Sequence, residues 1–433
     1  MPIGIVEALD HEARGIVRAD GKAIFVDGAL PGECVEYASF RAKPNYEQAR
    51  LVRVLEPSFA RVAARCPHFG LCGGCVMQHL ELSAQAAAKA RVLEDALWHI
   101  GRIRPEVILP PIQGPAWGYR HRARLGVRRV PRKGGVLVGF HERRSSYIAD
   151  LSTCPVLHPR VARLLLPLRE LIDGLSIAER LPQVEAAVGE GCVALVFRIL
   201  APLTGTDETR LRHFADQHQV TLYLQPGGPE SACRFHPLPG PELAYRLPEH
   251  TLSLRFQPTD FTQVNHAINR VLIRRALALL EPRPGERIAD LFCGLGNFTL
   301  PIARKGAQVL GVEGSPALVA RAVENACRNA LSERTRFETA NLFLRAPASS
   351  LRLDDFAKLL IDPPREGALE IVKSLPERGG PQRIVYVSCN PATLARDAAI
   401  LAHQKRYRLA AAGAVNMFPH TAHVESIALF TRD

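Results

Sequence analysis

The pattern of apolar and polar positions changes character along the chain. Up to residue 58 it consists of short runs broken by turns. Gly15-Ile16-Val17-Arg18 and Ala23-Ile24-Phe25-Val26 flank Ala19-Asp20-Gly21-Lys22, and Asp-Gly between apolar runs is a strong hairpin signal. Leu30-Pro31-Gly32-Glu33 marks another turn and residues 50–55 another strand. About five short strands in this stretch predict a small OB-like β-barrel, an architecture that often takes oligonucleotides. Residues 84–100 switch to a helical period, alanine-rich, with Leu93, Leu97 and Ile100 at helical spacing. Residues 117–255 are mixed, with strand-like runs at 193–199 and 221–224, and the motif from Phe256 to Asn265 opens a helical segment that runs to Leu280. From residue 286 strands and helices alternate. Strands are predicted at 287–292, 308–312, 358–361 and 383–387, and Ser315-Pro316 starts a helix with a hydroxyl cap and a proline in its first turn.

That alternation predicts an α/β, doubly wound, Rossmann-like domain. Three domains are expected: the barrel at 1–60, a mixed α+β central domain at 61–255, and the α/β domain at 256–433. A chain of 433 residues with 47% apolar and 23% charged residues is no disordered protein. It has no run of eighteen apolar residues, so no membrane span is expected. The first ten residues lack a signal-peptide layout, which makes a cytoplasmic monomer the expectation.

The net charge of +12 asks for an acidic partner only if the bases cluster. They do: residues 61–160 hold 16 bases against 6 acids, whereas residues 1–60 hold 7 against 9. In Arg120-His121-Arg122-Ala123-Arg124 the alternation places three arginines on one strand face. That face suits phosphates in a salt-dependent way; a solvated strand is the alternative.

Three of the ten cysteines fall in Cys66-Pro-His-Phe-Gly-Leu-Cys72-Gly-Gly-Cys75. Without a secretory signal, disulfides are improbable. Three thiolates on a glycine-containing loop suit a metal centre, with Cys154, followed by Pro155, as the fourth ligand. Cys-Pro commonly closes an iron–sulfur ligand set. Zinc, the rival, favours paired Cys-x2-Cys knuckles, and only one such pair is present.

In the α/β domain, Asp290-Leu-Phe-Cys-Gly294-Leu-Gly296-Asn297 is a glycine loop between strand and helix, and Glu313 ends the next strand. An acid there can accept hydrogen bonds from ribose hydroxyls. The third glycine of a dinucleotide fingerprint is missing, which favours S-adenosylmethionine over NAD. Asp362-Pro-Pro-Arg365 and Ser388-Cys389-Asn390-Pro391 each follow a strand, at the carboxyl edge where such sites form. Cys389 is either an inert core thiol or, better at a strand end, a nucleophile. Glu425 precedes the apolar run 427–430 and is either solvated or a partly buried base. Together they suit methylation of uracil at carbon 5, by thiolate addition to carbon 6, methyl transfer, and proton removal by Glu425. The target base must be flipped out, and Phe261 could stack on it.

The segments Asp362-Pro-Pro-Arg-x-Gly, Ile384-Val-Tyr-x-Ser-Cys389-Asn-x-x-Thr393 and Phe418-Pro-His-Thr-x-His-x-Glu425, with the cysteine loop, resemble the RNA (uracil-5-)-methyltransferases. Within that family they are similar to enzymes of 23S rRNA, acting at a uridine of the 1939 type. The resemblance implies a TRAM barrel, a [4Fe-4S] cluster on Cys66, Cys72, Cys75 and Cys154, and a helix at about 84–115 packed on the catalytic domain. It further implies S-adenosylmethionine contacts at Gln263, Phe292, Asn297, Glu313, Asn341 and Asp362, with Cys389 as nucleophile and Glu425 as base. Asn416 and Ala422 depart from the family's usual Asp and Gly. The rivals are methylation of another rRNA or tRNA uridine, adenine-amino methylation, and a non-catalytic iron–sulfur RNA-binding protein.

Overall fold

A computed structural model describes residues 1–344 and 352–432. Strands Ile3–Leu9, Gly15–Ala19, Lys22–Asp27, Cys34–Ala42 and Tyr46–Glu56 close into the expected barrel. Its interior is a small apolar core around Val6, Val17, Val26, Val35 and Tyr37. The central domain is built on a six-stranded sheet in which Arg122–Val130 pairs antiparallel with both Gly135–Gly139 and Gln183–Val188. Strands Val193–Arg198, Thr221–Gln225 and Cys233–His236 complete it.

The α/β domain carries an eight-stranded sheet. Its spatial order is Thr335–Thr339, Gln308–Glu313, Arg287–Leu291, Lys358–Ile361, Arg383–Ser388, Glu425–Thr431, Arg408–Val415 and Val107–Ile108. The first five strands are parallel. Strand order reverses between Arg287–Leu291 and Lys358–Ile361, and ligands of open α/β sheets sit at such a switch point. Strand Glu425–Thr431 runs antiparallel to Arg383–Ser388 with Ser426 opposite Ser388. Its first residue therefore lies where its neighbour ends, which brings Glu425 beside Cys389.

The helix expected over 84–115 is shorter. It spans Leu82–His99, capped by the Glu81 carboxylate, which accepts from Ser83 N and Ala84 N. It stops where Gly101 follows the last turn, Arg102 takes a left-handed backbone (φ 53°), and Pro105 comes soon after. The rest of the segment runs out to Val107–Ile108, the edge strand paired with Arg408–Val415. The helix does pack on the catalytic domain: Leu93 and Leu97 are buried in the same core as Leu394, Ala398 and Leu401.

The boundary expected at 256 cuts through a unit. Hairpin strands Leu243–Leu247 and Leu252–Phe256 bury their apolar face with helix His266–Leu280. The hairpin thus belongs to the α/β core as much as to the central sheet. No helix among the described residues is long and apolar enough to cross a membrane.

Candidate active site

One cavity of about 510 Å³ opens at the sheet's switch point. Gln263, Phe292, Asn297, Glu313, Asn341, Asp362, Cys389, Glu425 and Phe261 all line it. At one end the chain leaves strand Arg287–Leu291 into the glycine loop. Phe292 takes a left-handed backbone (φ 64°), costly for an aromatic residue and a mark of a built site. Gly294 (φ 55°) and Gly296 (φ 96°) share that conformation without a Cβ to resist it. Glu313 fixes the loop: its carboxylate accepts from Gly294 N at 3.1 Å and from Ser315 N at 3.0 Å. Asn297 is itself held, accepting from Tyr245 Oη at 2.8 Å and exchanging bonds with Asn269. Beneath the loop, burial pushes Asp290 up to about 7, against the pull of Thr299, whose Oγ1 donates to the carboxylate at 2.5 Å.

At the other end stand Cys389, Glu425 and Asp362. Burial, then the carboxylates of Glu425 and Asp362, push the Cys389 thiol up to about 11, while Arg365 pulls it down. Burial pushes Glu425 up to about 8, Asp362 adds to the shift, and Lys89 opposes it. Burial likewise takes Asp362 to about 7. A raised carboxyl beside a thiol in a cleft is the electrostatic pattern of acid–base chemistry. Phe261 stands at the mouth, 67% exposed, an apolar ring offered to solvent.

Four residues without a role in the sequence reading belong here. His423 lines the cavity, edge-on to Phe418 at 4.7 Å, and burial lowers it to about 4. Arg365 also lines it. Tyr245 reaches it from the hairpin, and Lys89 is buried behind Glu425. The histidine and arginine stand inside motifs already singled out; the lysine and tyrosine carry no local signal.

Cys66, Cys72, Cys75 and Cys154 line a second, small apolar cavity with Phe140 and Arg120. Burial pushes Cys75 up to about 12, and burial raises Cys72 and Cys154, with neighbouring cysteines adding to each. Among the described residues no group of three or more His, Cys, Asp or Glu side chains is poised to hold a single metal ion.

The three arginines do not form one open basic face. Arg120 lies before the strand begins, with its guanidinium over the Phe140 ring beside the cysteines. Arg122 is spent internally, donating to Pro258 O at 2.8 Å with Glu185 at 3.9 Å. Arg124 alone is largely in solvent, 70% exposed, and it too is paired, with Glu185 at 2.9 Å. The pairing arises because Glu185 is its register partner on the next strand. Arg143 and Arg144 bind Asp27 of the barrel at 3.0 and 2.6 Å, so part of the basic excess fastens one domain to the next.

Residues 243–433 match the tRNA (Uracil-5-)-methyltransferase family. The chain is 66% identical to a 23S rRNA (uracil(1939)-C(5))-methyltransferase of Dechloromonas aromatica, over 99% of both chains. It is 63% identical to the enzyme of the same description from an Azoarcus species, over 100% of both. Its fold matches that of the Pyrococcus abyssi tRNA (uracil-54, C5)-methyltransferase solved with S-adenosyl-L-homocysteine, with a TM-score of 0.74 and 24% identity, over 99% of this chain and 100% of that one. The chain belongs to the RNA (uracil-5-)-methyltransferase family.

Proposed function

We propose that the protein transfers a methyl group from S-adenosylmethionine to carbon 5 of a uridine in 23S rRNA, of the 1939 type, in the cytoplasm, through a covalent Cys389 adduct. The observation that carries this reading is the convergence of a strand-end thiol, a buried carboxyl and the glycine loop on one cavity. Full-length relatives named for that rRNA uridine support the substrate.

Cys389, as thiolate, adds to carbon 6, and the displaced π pair moves to the carbonyl oxygen at carbon 4. Carbon 5 becomes nucleophilic. The glycine loop and Glu313 would hold S-adenosylmethionine, whose sulfonium–methyl bond would break as the carbon-5–methyl bond forms, with S-adenosylhomocysteine as the leaving group. Glu425 then takes the carbon-5 proton. The C–H pair restores the 5,6 double bond, and the sulfur leaves carbon 6 with its own pair. The Arg365 guanidinium lowers the Cys389 thiol and favours both its attack and its departure. Phe261 offers a face on which a flipped or neighbouring base can stack.

The four cysteines suit a [4Fe-4S] cluster. All four line one small apolar cavity, and each iron of such a cluster takes one thiolate. The residues that would hold it are Cys66, Cys72, Cys75 and Cys154, and its contribution there is to staple the loop. Iron and sulfide analysis of anaerobically purified protein is expected to return about four of each per chain.

RNA carrying 5-fluorouracil tests the mechanism. Fluorine cannot leave as a proton, so a covalent complex with wild-type protein is expected, dependent on S-adenosylmethionine. No complex, or the same complex with Cys389→Ala, would overturn the reading.

A further inference from the structure

The base end of the cavity is braced from a distant part of the chain. Loop 416–423 joins strand Arg408–Val415 to strand Glu425–Thr431 and carries Phe418 and His423 to the cavity wall. The central domain holds it from behind. Val76 N and Met77 N donate to His420 O at 2.8 and 2.9 Å, and Gln85 accepts from His420 N at 2.8 Å. Tyr119 Oη donates to Pro419 O at 3.0 Å, and Trp117 stacks on His420 at 4.0 Å. His420 needs such support, for its backbone is left-handed (φ 68°).

Lys89, one helical turn after Gln85, differs in kind from these clamps. It is 2% exposed, and its Nζ donates to Asn416 Oδ1 at 2.7 Å and Phe418 O at 2.8 Å. Both acceptors are neutral. Burying an ammonium among neutral oxygens costs stability, and an amide like that of Gln85 would clamp the loop without that cost. What a lysine adds is charge, although burial lowers its ammonium to about 7 and only Glu425 opposes that shift, so the cation is present chiefly at and below neutrality. The acid in reach of its field is Glu425: Val415, the residue before Asn416, is the strand partner of Glu425. Glu425 Oε2 is buried and, among the described residues, has no hydrogen-bond partner.

We propose that Lys89 is a positioning residue for the base: it pins loop 416–423 and sets its ammonium behind Glu425, so that Glu425 gives up its proton, and can take the one on carbon 5, at a lower pH than it would beside Asp362 alone. This rests on the reading of Glu425 as the base. The other groups facing the pair are Asp362 and Cys389 from neighbouring strand ends, Arg365 and His423 on the cavity wall, and His420 beside Lys89. Burial takes both histidines to about 4, so neither supplies a cation near neutrality. Loss of the lysine leaves Glu425 with burial and Asp362, both of which raise it.

The test is tritium release from RNA carrying 5-tritiated uridine, in single turnover across pH 6 to 10, with the full-length holoprotein. Lys89→Met is expected to move the rising limb of proton release upward by about one pH unit, roughly tenfold in rate near neutrality. The methylated covalent complex should accumulate meanwhile, and S-adenosylmethionine affinity should stay within about twofold. Lys89→Arg, which keeps the charge, should hold the limb near that of wild type. Asn416→Asp keeps the lysine but neutralises its field, and should move the limb the same way as Lys89→Met. An unmoved limb in Lys89→Met, or in Asn416→Asp should the first variant not fold, overturns the proposal. Glu425→Gln separates the two readings: tritium release from it at the wild-type rate removes Glu425 as base, whatever Lys89 does.

Discussion

At the glycine-loop end of the cavity, the main walls come from residues 292–343, and the fixing bonds reach no farther than 52 positions, from Glu313 to Ser315 N and Gly294 N and from Tyr245 to Asn297. At the Cys389 end, the walls come from three strand ends and a loop, and the loop is held by residues 300 or more positions earlier. Each end contains one left-handed non-glycine residue, Phe292 or His420. The first is accommodated by neighbouring glycines, the second by clamps from another domain. The local end should therefore fail in proportion to the bonds removed, and the assembled end should fail as a unit.

The sharpest break of that contrast is Cys389→Ala. Methyl transfer is expected to fall by on the order of 10⁴-fold, while S-adenosylmethionine binding, measured calorimetrically, stays within about twofold. A comparable loss in binding would mean that the two ends are one unit.

Glu425→Gln comes next, with turnover down by about 10²- to 10⁴-fold and RNA retained in a methylated adduct on denaturing gels. Its stability should move the other way. Folding raises Glu425 to about 8 from an ordinary value of 4.5, so the native state favours the protonated form. The stability this gives is present in full below 4.5 and is lost as pH rises through 8. Glutamine has no such loss, so the variant's melting temperature should gain on wild type between those pH values, by about 1–3 °C. A gain that shrinks with pH would contradict the raised carboxyl.

Glu313→Ala acts on the local end. Losing charge-assisted bonds to the loop, and to a ribose if one is held there, is expected to weaken S-adenosylmethionine binding by about 10- to 100-fold. Rate at saturating cofactor should fall far less, since Cys389 and Glu425 keep their own supports. A collapse of the saturated rate would erase the distinction between the ends.

The same contrast decides what was legible in the sequence. The glycine loop, Glu313 at its strand end and the cap at Ser315 are local patterns, and the structure reproduces their placement. Cys389 was readable because the strand before it is an unbroken apolar run. Lys89 was not, because a lysine in an alanine-rich helix reads as solvated, and its acceptor Asn416 lies 327 residues on. The helix over 84–100 was legible from its period and ends at His99; the extension to about 115 came from the family resemblance, and there the chain runs on instead to an edge strand. The arginines differ in another way. Period two places Arg122 and Arg124 on one face correctly, yet it is blind to Glu185 on the adjacent strand.

That partner sets the smallest effect. Arg124 is 70% exposed and shares Glu185 with Arg122, which is only 16% exposed and tied to Pro258 O. An exposed ion pair is worth little, so phosphate can draw Arg124 away from Glu185 at small cost, whereas Arg122 would have to give up a buried bond. Arg124→Ala is therefore expected to weaken RNA binding by a factor of a few and to lower the salt slope by about one, with melting unchanged. Arg122→Ala should lower the melting temperature and leave the salt slope as it was. If Arg122→Ala lowers the slope as much as Arg124→Ala, the strand face is a phosphate-binding surface after all, and the bond to Pro258 O opens when RNA binds.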